Sequence, residues 1–436
     1  MRLKIGLCAL AAFGSATSAQ TPASPPASSR TLTINADQGR DSLRLTRRQA
    51  IAEALNRNAQ LDVAREQTAE ARARRVTGNA VPDPILTAAY DQIAGPFVFG
   101  GAPAKPVNVG LDVPFPDKFR LNNKIGTAGV RAAESNYRLQ QQSVGFQTSA
   151  AYDSLLVSLA HRANLQEART LTADFLNRTQ SRFNAGTVAR LDVIQAQVAV
   201  AQADNDLISN ERDVANAQAS LNRQLGRLIS APIAPTDSLA IPPALPDSST
   251  IEQIALNNRP ELKNLEQQVV AAKATTSLTK EFWLPDLTFG VSRDYAQPGS
   301  PLFTTGISMP VPVLFWQHSR GDIALAQHTE RELDATYRDT RAQVIQDVRS
   351  TYANASTAIR QAIFLRDELV PSAREAYRVS STSYSLGGSS ALEVLTARAA
   401  LLQAESQLLD ALAAASTARA DLDRALGNTL PNGAIR

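Results

Sequence analysis

The chain contains an internal repeat of about 200 residues, and this repeat limits what it can fold into more than any other feature. Four pairs of similar segments occur in the same order along the chain: 54–58 and 255–259, 110–116 and 306–312, 186–193 and 387–394, and 221–226 and 422–427. Three of these pairs are 201 residues apart, and the other pair is 196 residues apart. Matches at nearly one spacing indicate a tandem duplication, in which each half is one copy of the same structural unit.

Each half predicts the same order of elements: a helix, two strands, a very long helix and a shorter helix. The strands are predicted where apolar and polar residues alternate, because alternation gives a strand one face of each kind. The alternating segments lie at about 85–93, 107–113, 286–295 and 303–311. We therefore place the first repeat at 41–227 and the second at 251–427, with a proline-rich linker at 228–250 and a tail at 428–436.

The predicted helices are unusually long. Residues 117–182 contain no proline, and a helix over this segment extends about 100 Å at 1.5 Å per residue. Residues 318–383 repeat the pattern with Pro371 inside, which predicts a local kink. Shorter partner helices are predicted at 190–226 and 391–427, where leucine and small residues follow coiled-coil spacing. The sequence thus predicts a mainly α fold of two long helical hairpins with a small transmembrane β part.

The N-terminus has the layout of a secretory signal peptide at 1–19. Two basic residues precede an apolar stretch at 5–13, and the small residues that follow favour cleavage after Ala19. Residues 20–40 are rich in proline and serine, which predicts a flexible leader. Cleavage removes Cys8, the only cysteine, so the sequence excludes a disulfide scaffold and a cysteine-based metal site.

Composition and motifs disfavour an enzyme, a cofactor-binding protein and a nucleic-acid-binding protein. The 44 basic and 41 acidic residues give a net charge of only +3, which provides no electrostatic footprint for nucleic acid. The sequence has no phosphate-binding glycine loop, nucleophile elbow or closely spaced pair of metal ligands. Its three histidines, His161, His318 and His328, are too widely spaced to predict a bound metal.

The predicted strands, but not the predicted helices, are suited to span a membrane. No segment after the signal peptide reaches the 18 consecutive apolar residues typical of a transmembrane helix. Two-faced strands can enter lipid in a closed barrel, where every backbone group is paired. The smallest such barrels need about eight strands, so four strands per chain require several copies. The sequence therefore predicts an oligomeric pore that continues as a tube of long helices.

Four short segments carry a resemblance to a known family. They are 81–84 (Val-Pro-Asp-Pro) before the first strand, 113–118 (Val-Pro-Phe-Pro-Asp-Lys) after the second, 306–312 (Gly-Ile-Ser-Met-Pro-Val-Pro) and 320–323 (Arg-Gly-Asp-Ile). Together with the order of elements, they resemble the TolC-type outer-membrane efflux proteins over residues 45 to 427. The last two segments are most similar to the heavy-metal (CzcC-like) branch.

This resemblance implies a homotrimer with a twelve-stranded β-barrel in outer-membrane lipid and a periplasmic helical barrel. It also implies two partners, a periplasmic adaptor (membrane fusion) protein and an inner-membrane RND-type pump. The implied function is a passive exit duct of a tripartite efflux system in the outer membrane of a Gram-negative bacterium. Small solutes are the expected cargo, with metal cations preferred over drugs. Two alternatives stay open: a periplasmic coiled-coil structural or adaptor protein, and an outer-membrane duct for type I protein secretion.

The turns that join each long helix to its shorter partner are the candidate functional site. In similar ducts, a glycine followed by a leucine and an acid meets the adaptor, and nearby polar groups close the tube. The residues that match the adaptor contact are Gly186, Thr187, Leu191, Asp192, Gly387, Leu392 and Glu393. The candidate gate residues are Asp192, Tyr384 and Glu393. Some relatives carry a latch arginine and a second gate carboxylate where this chain has Ser389 and Thr396, so its gate is predicted to be weaker or built differently.

These residues also have a purely local interpretation. Gly186 and Gly387 are suited to end a helix in the left-handed conformation. Asp192 and Glu393 lie in the first turn of a predicted helix, where the helix dipole favours an acid by about 0.3–1 kcal/mol. Local stability is the favoured interpretation at Asp192. At Glu393 the two interpretations are balanced, because three copies around one axis would form a ring of acids that selects cations.

Overall fold

A computed structural model of the chain describes residues 43–88, 106–243, 245, 247–284, 286–294, 302–309 and 319–428. The predicted signal peptide and leader, His318 and residues 429–436 of the tail lie outside these residues. The same is true of 89–93, 295 and 310–311, at the ends of three predicted strands. The predicted fold class, mainly α with long helical hairpins and few strands, is confirmed.

The first repeat begins with a short strand and two helices and ends in a long helical hairpin. Its elements are β1 (Leu43–Leu45), α1 (Arg47–Arg57), α2 (Ala59–Gly78), β2 (Ile85–Ala88), β3 (Pro106–Val113), α3 (Pro116–Asn184) and α4 (Arg190–Gln224). α3 has 69 residues and therefore extends about 100 Å. Pro116 lies in its first turn, where proline is well tolerated because an N–H there has no partner within the helix.

The second repeat has the same order of helices and strands, except that its long helix is divided in two. A short strand, β4 (Ile233–Pro235), precedes it, and its elements are α5 (Ile251–Asn258), α6 (Pro260–Lys280), β5 (Leu287–Asp294), β6 (Leu302–Ser308), α7 (Ser319–Phe364), α8 (Val370–Ser385) and α9 (Ala391–Ala425). β4 lies within the segment that the sequence predicts as a linker, and it pairs in parallel with β1. The proline-rich segment is therefore attached to the start of the first repeat by backbone hydrogen bonds.

Pro371 is the one interruption that the sequence predicts in the second long helix. A single π turn, Leu365–Leu369, separates α7 from α8 just before this proline. The N–H of Val370 donates to the carbonyl oxygen of Leu365, five residues earlier, in the wider spacing of a π turn. Proline lacks an N–H, and its ring crowds the preceding turn of an α-helix, so the wider turn accommodates it. The equivalent residue of the first repeat, Thr170, lies in the uninterrupted α3.

Two strands from each repeat form one antiparallel sheet in the order β2-β3-β5-β6. The central pair joins the repeats, with Val109 of β3 opposite Val291 of β5. Gly110, Gly290 and Gly306 lie in one row across three of the strands. β2 and β6 lie at the two edges, and neither has a second partner strand within the described residues. Within the described residues, the sheet therefore ends at β2 on one edge and at β6 on the other.

The two faces of this sheet differ in polarity, as the alternation predicts. The apolar face carries exposed large side chains: Leu86, Val109, Phe289, Val291, Phe303 and Ile307. The opposite face carries polar side chains, including a row formed by Thr87, Asn108, Ser292 and Thr304. On this polar face, the hydroxyl of Thr288 donates to a carboxylate oxygen of Asp112 at 2.6 Å. A contiguous exposed apolar face marks a surface that something other than water covers.

The duplication is visible in the packed core. In the first repeat Ala54, Leu221 and Leu225 are buried in one apolar cluster. The residues 201 positions later, Ala255, Leu422 and Leu426, are buried in the corresponding cluster of the second repeat. A third cluster lies at the far end of the hairpins and contains Phe175, Ala196, Tyr384, Ala391 and Val394. This third cluster joins side chains from both repeats, so it positions one hairpin against the other.

A buried polar group also ties the repeats together in the middle of the helical part. Asp153 of α3 is 3% exposed and accepts hydrogen bonds from Arg47 of α1 and Ser416 of α9. Burial raises the pKa of Asp153, and the two donors oppose this shift because they stabilise the carboxylate. The neighbouring Tyr152 is fully buried, and its hydroxyl donates to the carbonyl oxygen of Leu45 at 3.0 Å. Burial raises the pKa of Tyr152 to about 12, so it keeps its proton and stays a donor.

Candidate functional site at the ends of the helical hairpins

Each helical hairpin ends in a five-residue turn, which we call its tip. The first tip is 185–189, between α3 and α4, and the second is 386–390, between α8 and α9. Gly186 and Gly387 adopt φ angles of +73° and +83°. In this left-handed region a Cβ atom costs about 1–2 kcal/mol, which explains the glycines. Their N–H groups and those of the next residues close the ends of α3 and α8 in the same double hydrogen-bond pattern.

The helices that follow the tips begin differently. At the start of α9, the N–H of Glu393 donates to the hydroxyl of Ser390 at 3.3 Å, and a Glu393 carboxylate oxygen accepts from the N–H of Ser390 at 3.4 Å. This reciprocal pair is a capping box. α4 has Ala189 at the corresponding position and no side-chain cap. The structure therefore gives the stronger local role to Glu393, whereas the sequence favoured a local role at Asp192.

Several predicted contact residues are exposed at the tips. Leu191 and Leu392, the first leucines of α4 and α9, are 60% and 59% exposed. Thr187 and Glu393 are also exposed, and Asp192 is half-buried. Leu386 is even more exposed, at 83%, although the sequence analysis did not select it. Exposed leucines beside a tight turn present apolar surface to whatever meets the end of the hairpin.

Tyr384 is different from the other predicted gate residues, because it is buried. It is 6% exposed, on the last turns of α8. Its ring lies 5.3 Å, centroid to centroid, from the ring of Phe175 on α3, in a tilted arrangement. Its hydroxyl oxygen lies 3.4 Å from that of Thr179. Tyr384 therefore joins the second hairpin to the first within one chain.

Arg182 completes this contact, and the sequence analysis did not identify it. Its guanidinium carbon lies 4.6 Å from the centroid of the Tyr384 ring, which is a cation–π geometry. Its Nη1 also donates to the main-chain carbonyl oxygen of Tyr384 at 2.5 Å. We call Phe175, Thr179, Arg182 and Tyr384 the tip clasp. The sequence shows only that Arg182 is a basic residue in the last turn of α3. It does not show the contact, because the partner, Tyr384, lies 202 residues away.

Ser389 is one of the two residues that differ from the family pattern, and the structure gives it a partner. Ser389, which stands where some relatives have an arginine, donates to the carbonyl oxygen of Ser380 within its own hairpin at 3.1 Å. Arg182, which comes from the other hairpin, contacts Tyr384 at this end of the molecule. The described contact is thus built with an arginine on α3 and an aromatic ring on α8.

The described residues contain no group of three or more histidine, cysteine, aspartate or glutamate side chains placed to hold a metal ion. His161 lies against Asp410, with Nε2 and Oδ1 2.9 Å apart. None of the helices within the described ranges is both long and apolar enough to span a membrane.

Comparisons with known proteins agree on the fold. A family model described as "Outer membrane efflux protein" matches residues 46–227 and 251–428. The pyoverdine export outer membrane protein OpmQ of Pseudomonas putida is 26% identical over 284 residues, which cover 62% of this chain and 59% of that protein. The cobalt-zinc-cadmium resistance protein CzcC of Cupriavidus metallidurans is 21% identical over 310 residues, which cover 69% and 73%. The chain thus spans about three fifths of the pyoverdine export protein.

Among solved structures, the outer-membrane channel OprN has a similar fold. The two chains align with a TM-score of 0.77 at 18% sequence identity. The alignment covers 88% of this chain and 90% of the OprN chain. The likeness therefore extends over most of both chains.

Proposed function

The chain belongs to the outer membrane efflux protein family, and we propose that it is a passive exit duct of a tripartite efflux system. Membership confirms two predictions from the sequence: an outer-membrane location and a protein that is not an enzyme. The observation that carries the proposal is an open, two-faced sheet attached to helical hairpins of about 100 Å. An apolar outer face suits lipid, and hairpins much longer than a bilayer is thick extend away from it.

Three copies of the chain would complete the pore. The open edges at β2 and β6 leave backbone groups unpaired, which lipid does not tolerate. Joining β6 of one copy to β2 of the next pairs these edges, and three copies give twelve strands around a channel. The repeats at 41–227 and 251–427 would each supply two strands and one hairpin. The hairpins of the three copies would then form the periplasmic tube.

The tips are the surface that we propose for a periplasmic adaptor protein, which would connect the duct to an inner-membrane RND-type pump. The turn residues Gly186, Thr187 and Gly387 fix the shape of the two tips. Leu191 and Leu392 offer matched apolar contacts at equivalent positions of the two repeats. Repeated sites of this kind allow one adaptor hairpin to bind at each repeat.

We propose small solutes as the cargo. The names of the relatives include pyoverdine export and resistance to cobalt, zinc and cadmium. The resemblance to the heavy-metal branch favours metal cations, whereas the similarity to OpmQ favours pyoverdine. A passive duct accommodates both, because the pump selects the cargo.

The tip clasp and the acids beside it form the proposed gate. Tyr384 and Arg182 hold the second hairpin against the first, which keeps the end of the tube narrow. Glu393 and Asp192 lie just beyond the tips, at the start of the returning helices. Three copies of each acid around one axis would form a ring of negative charge that favours cations.

We expect Glu393→Gln to reduce the cation preference of single-channel conductance, and its block by trivalent cations, by several-fold. Glutamine at this position keeps the capping box, so the change removes charge and leaves the start of α9 intact. Glu393→Ala is the control that removes both the negative charge and the side-chain hydrogen bond of the capping box. An unchanged cation preference and unchanged block in Glu393→Gln would show that Glu393 acts only as a helix cap.

Cell fractionation tests the proposed location and assembly against the periplasmic adaptor alternative. We expect the protein in the outer membrane, with release only by detergent, because its sheet presents apolar side chains to lipid. The control is a water-soluble periplasmic protein followed in the same cells. A substantial detergent-free periplasmic pool of folded protein would contradict the duct and favour the adaptor.

A further inference from the structure

Arg398 is a buried arginine that makes no ion pair with an acid among the described residues. It lies on α9 and is only 9% exposed. Its Nη2 donates to the main-chain carbonyl oxygen of Ala168 on α3. Burial lowers the pKa of Arg398 from its ordinary value, and the phenol of Tyr377 partly opposes this shift. An arginine nonetheless stays charged in a protein, so the fold keeps a cation between two helices.

The hydrogen bonds to this cation are incomplete. The carbonyl oxygen of Ala168 also accepts a hydrogen bond from the hydroxyl of Thr172 at 2.7 Å, so Arg398 shares a neutral acceptor. The Nε of Arg398 is buried and has no acceptor within the described part of the chain. A buried charge that lacks a counter-ion is strongly destabilising. The arrangement therefore calls for an anionic acceptor.

A cavity of about 190 Å³ lies beside Arg398, between α3, α8 and α9. Asn164, Glu167 and Leu171 of α3 and Tyr377 of α8 line it, together with Arg374 and Glu405. Glu405 is already paired with Arg374, at 2.8 Å between Oε1 and Nη2. A water molecule takes about 30 Å³ of liquid, so this cavity has room for a small organic anion. Its lining is mixed in character, because two arginines (Arg374 and Arg398) and two acids (Glu167 and Glu405) lie beside apolar side chains.

We propose that Arg398 and this cavity bind a carboxylate group, which accepts a hydrogen bond from Nε and neutralises the guanidinium. Carboxylate matches the planar fork of arginine better than a spherical anion does, because two oxygens can accept two parallel N–H groups. The group has two possible sources: a small free carboxylate, or an acidic side chain of a neighbouring copy. The second source rests on the proposed assembly, whereas the first does not.

The first repeat supplies a matched variant. The residue 201 positions before Arg398 is Gln197, which is exposed at the equivalent place on α4. Arg398→Gln therefore installs the residue that the same helix carries in the other repeat. Arg398→Lys is the second variant, because it keeps the charge and loses the planar fork.

The experiment is thermal unfolding of the detergent-extracted oligomer in sodium acetate against sodium chloride at equal ionic strength, with native mass for each variant. For a free carboxylate, we expect acetate to raise the Tm of the unsubstituted protein by about 2 °C or more and to leave Arg398→Gln unmoved. Arg398→Lys should retain only part of the shift.

For a carboxylate from a neighbouring copy, acetate has no effect and Arg398→Gln loses oligomer in native mass, with partial rescue in Arg398→Lys. The proposal is overturned if neither pattern is found. That includes equal acetate shifts in all three proteins. It also includes no acetate shift in the unsubstituted protein together with an Arg398→Gln oligomer as abundant as the unsubstituted one. The acetate comparison needs no pore activity, so its failure is distinct from failure of the proposed duct.

Discussion

Tyr384→Ala is expected to raise the conductance of the pore several-fold and to lengthen its open periods. The substitution removes the ring that packs on Phe175 and receives the Arg182 cation. Aromatic pairs contribute about 0.5–1.5 kcal/mol, and a cation–π contact contributes about 0.5–2 kcal/mol. Each 1.4 kcal/mol changes an equilibrium tenfold, so losing both contacts in every copy should shift the tips strongly towards open. Single-channel recording in a planar bilayer measures the effect.

Tyr384→Phe is the matched control for this prediction. It keeps the ring over Arg182 and beside Phe175, and it removes only a hydroxyl whose contact with Thr179 is long, at 3.4 Å. We expect conductance close to that of the unsubstituted protein. If Tyr384→Ala leaves conductance unchanged while native mass shows an intact oligomer, the tip clasp is a packing contact and not part of the gate.

Val291→Lys is expected to reduce the amount of protein in the outer membrane at least tenfold. Val291 lies on the central strand β5, on the apolar face, and is 48% exposed. A lysine that faces lipid costs about 2–4 kcal/mol near the middle of the bilayer, and each copy of the chain bears that cost. Membrane fractionation followed by quantitative blotting measures the loss.

The adjacent residue supplies the control for Val291→Lys. Ser292 lies on the same strand but on the polar face, in the row with Asn108 and Thr304. We expect Ser292→Lys to reach the outer membrane at the normal level, because its side chain lies on the polar face, which would line the water-filled channel of the proposed pore. If Ser292→Lys is lost and Val291→Lys is retained, the lipid-facing side of the sheet has been assigned wrongly.

The local features of this fold are predictable from the sequence because they depend on nearby residues. The prolines and glycines that end the long helices are visible, so α3 at Pro116–Asn184 lies close to the segment predicted from 117 to 182. Strand alternation likewise predicts which face of the sheet is apolar, since side chains on a strand point alternately to opposite faces. The duplication adds to this, because each half offers a second example of the same pattern.

The contacts that the sequence does not reveal are those between distant segments. β1 and β4 are three residues each and lie 190 positions apart, so no local pattern marks them as partners. The tip clasp depends on Arg182 of one repeat meeting Tyr384 of the other. Arg398 illustrates the same limit, since a basic residue on a helix is ordinarily exposed, and only the packing of α3 on α9 buries it.

The site residues show how a single residue can have two roles that sequence alone does not separate. Glu393 forms a capping box with Ser390 and is also exposed near the tip, so both interpretations of this acid have a structural basis. Asp192 lacks the capping partner because Ala189 stands where Ser390 does in the other repeat. This difference makes Glu393→Gln more informative than any substitution at Asp192.

The central claim is that several copies of this chain close into one channel through the outer membrane. Planar-bilayer conductance of the detergent-extracted protein, with native mass of the same preparation, tests it most directly. We predict the mass of a trimer and discrete, long-lived, small conductance steps that favour cations, because the tips narrow one end of the channel. Well-folded protein that gives no conductance and has the mass of a monomer or of a water-soluble oligomer would contradict the claim.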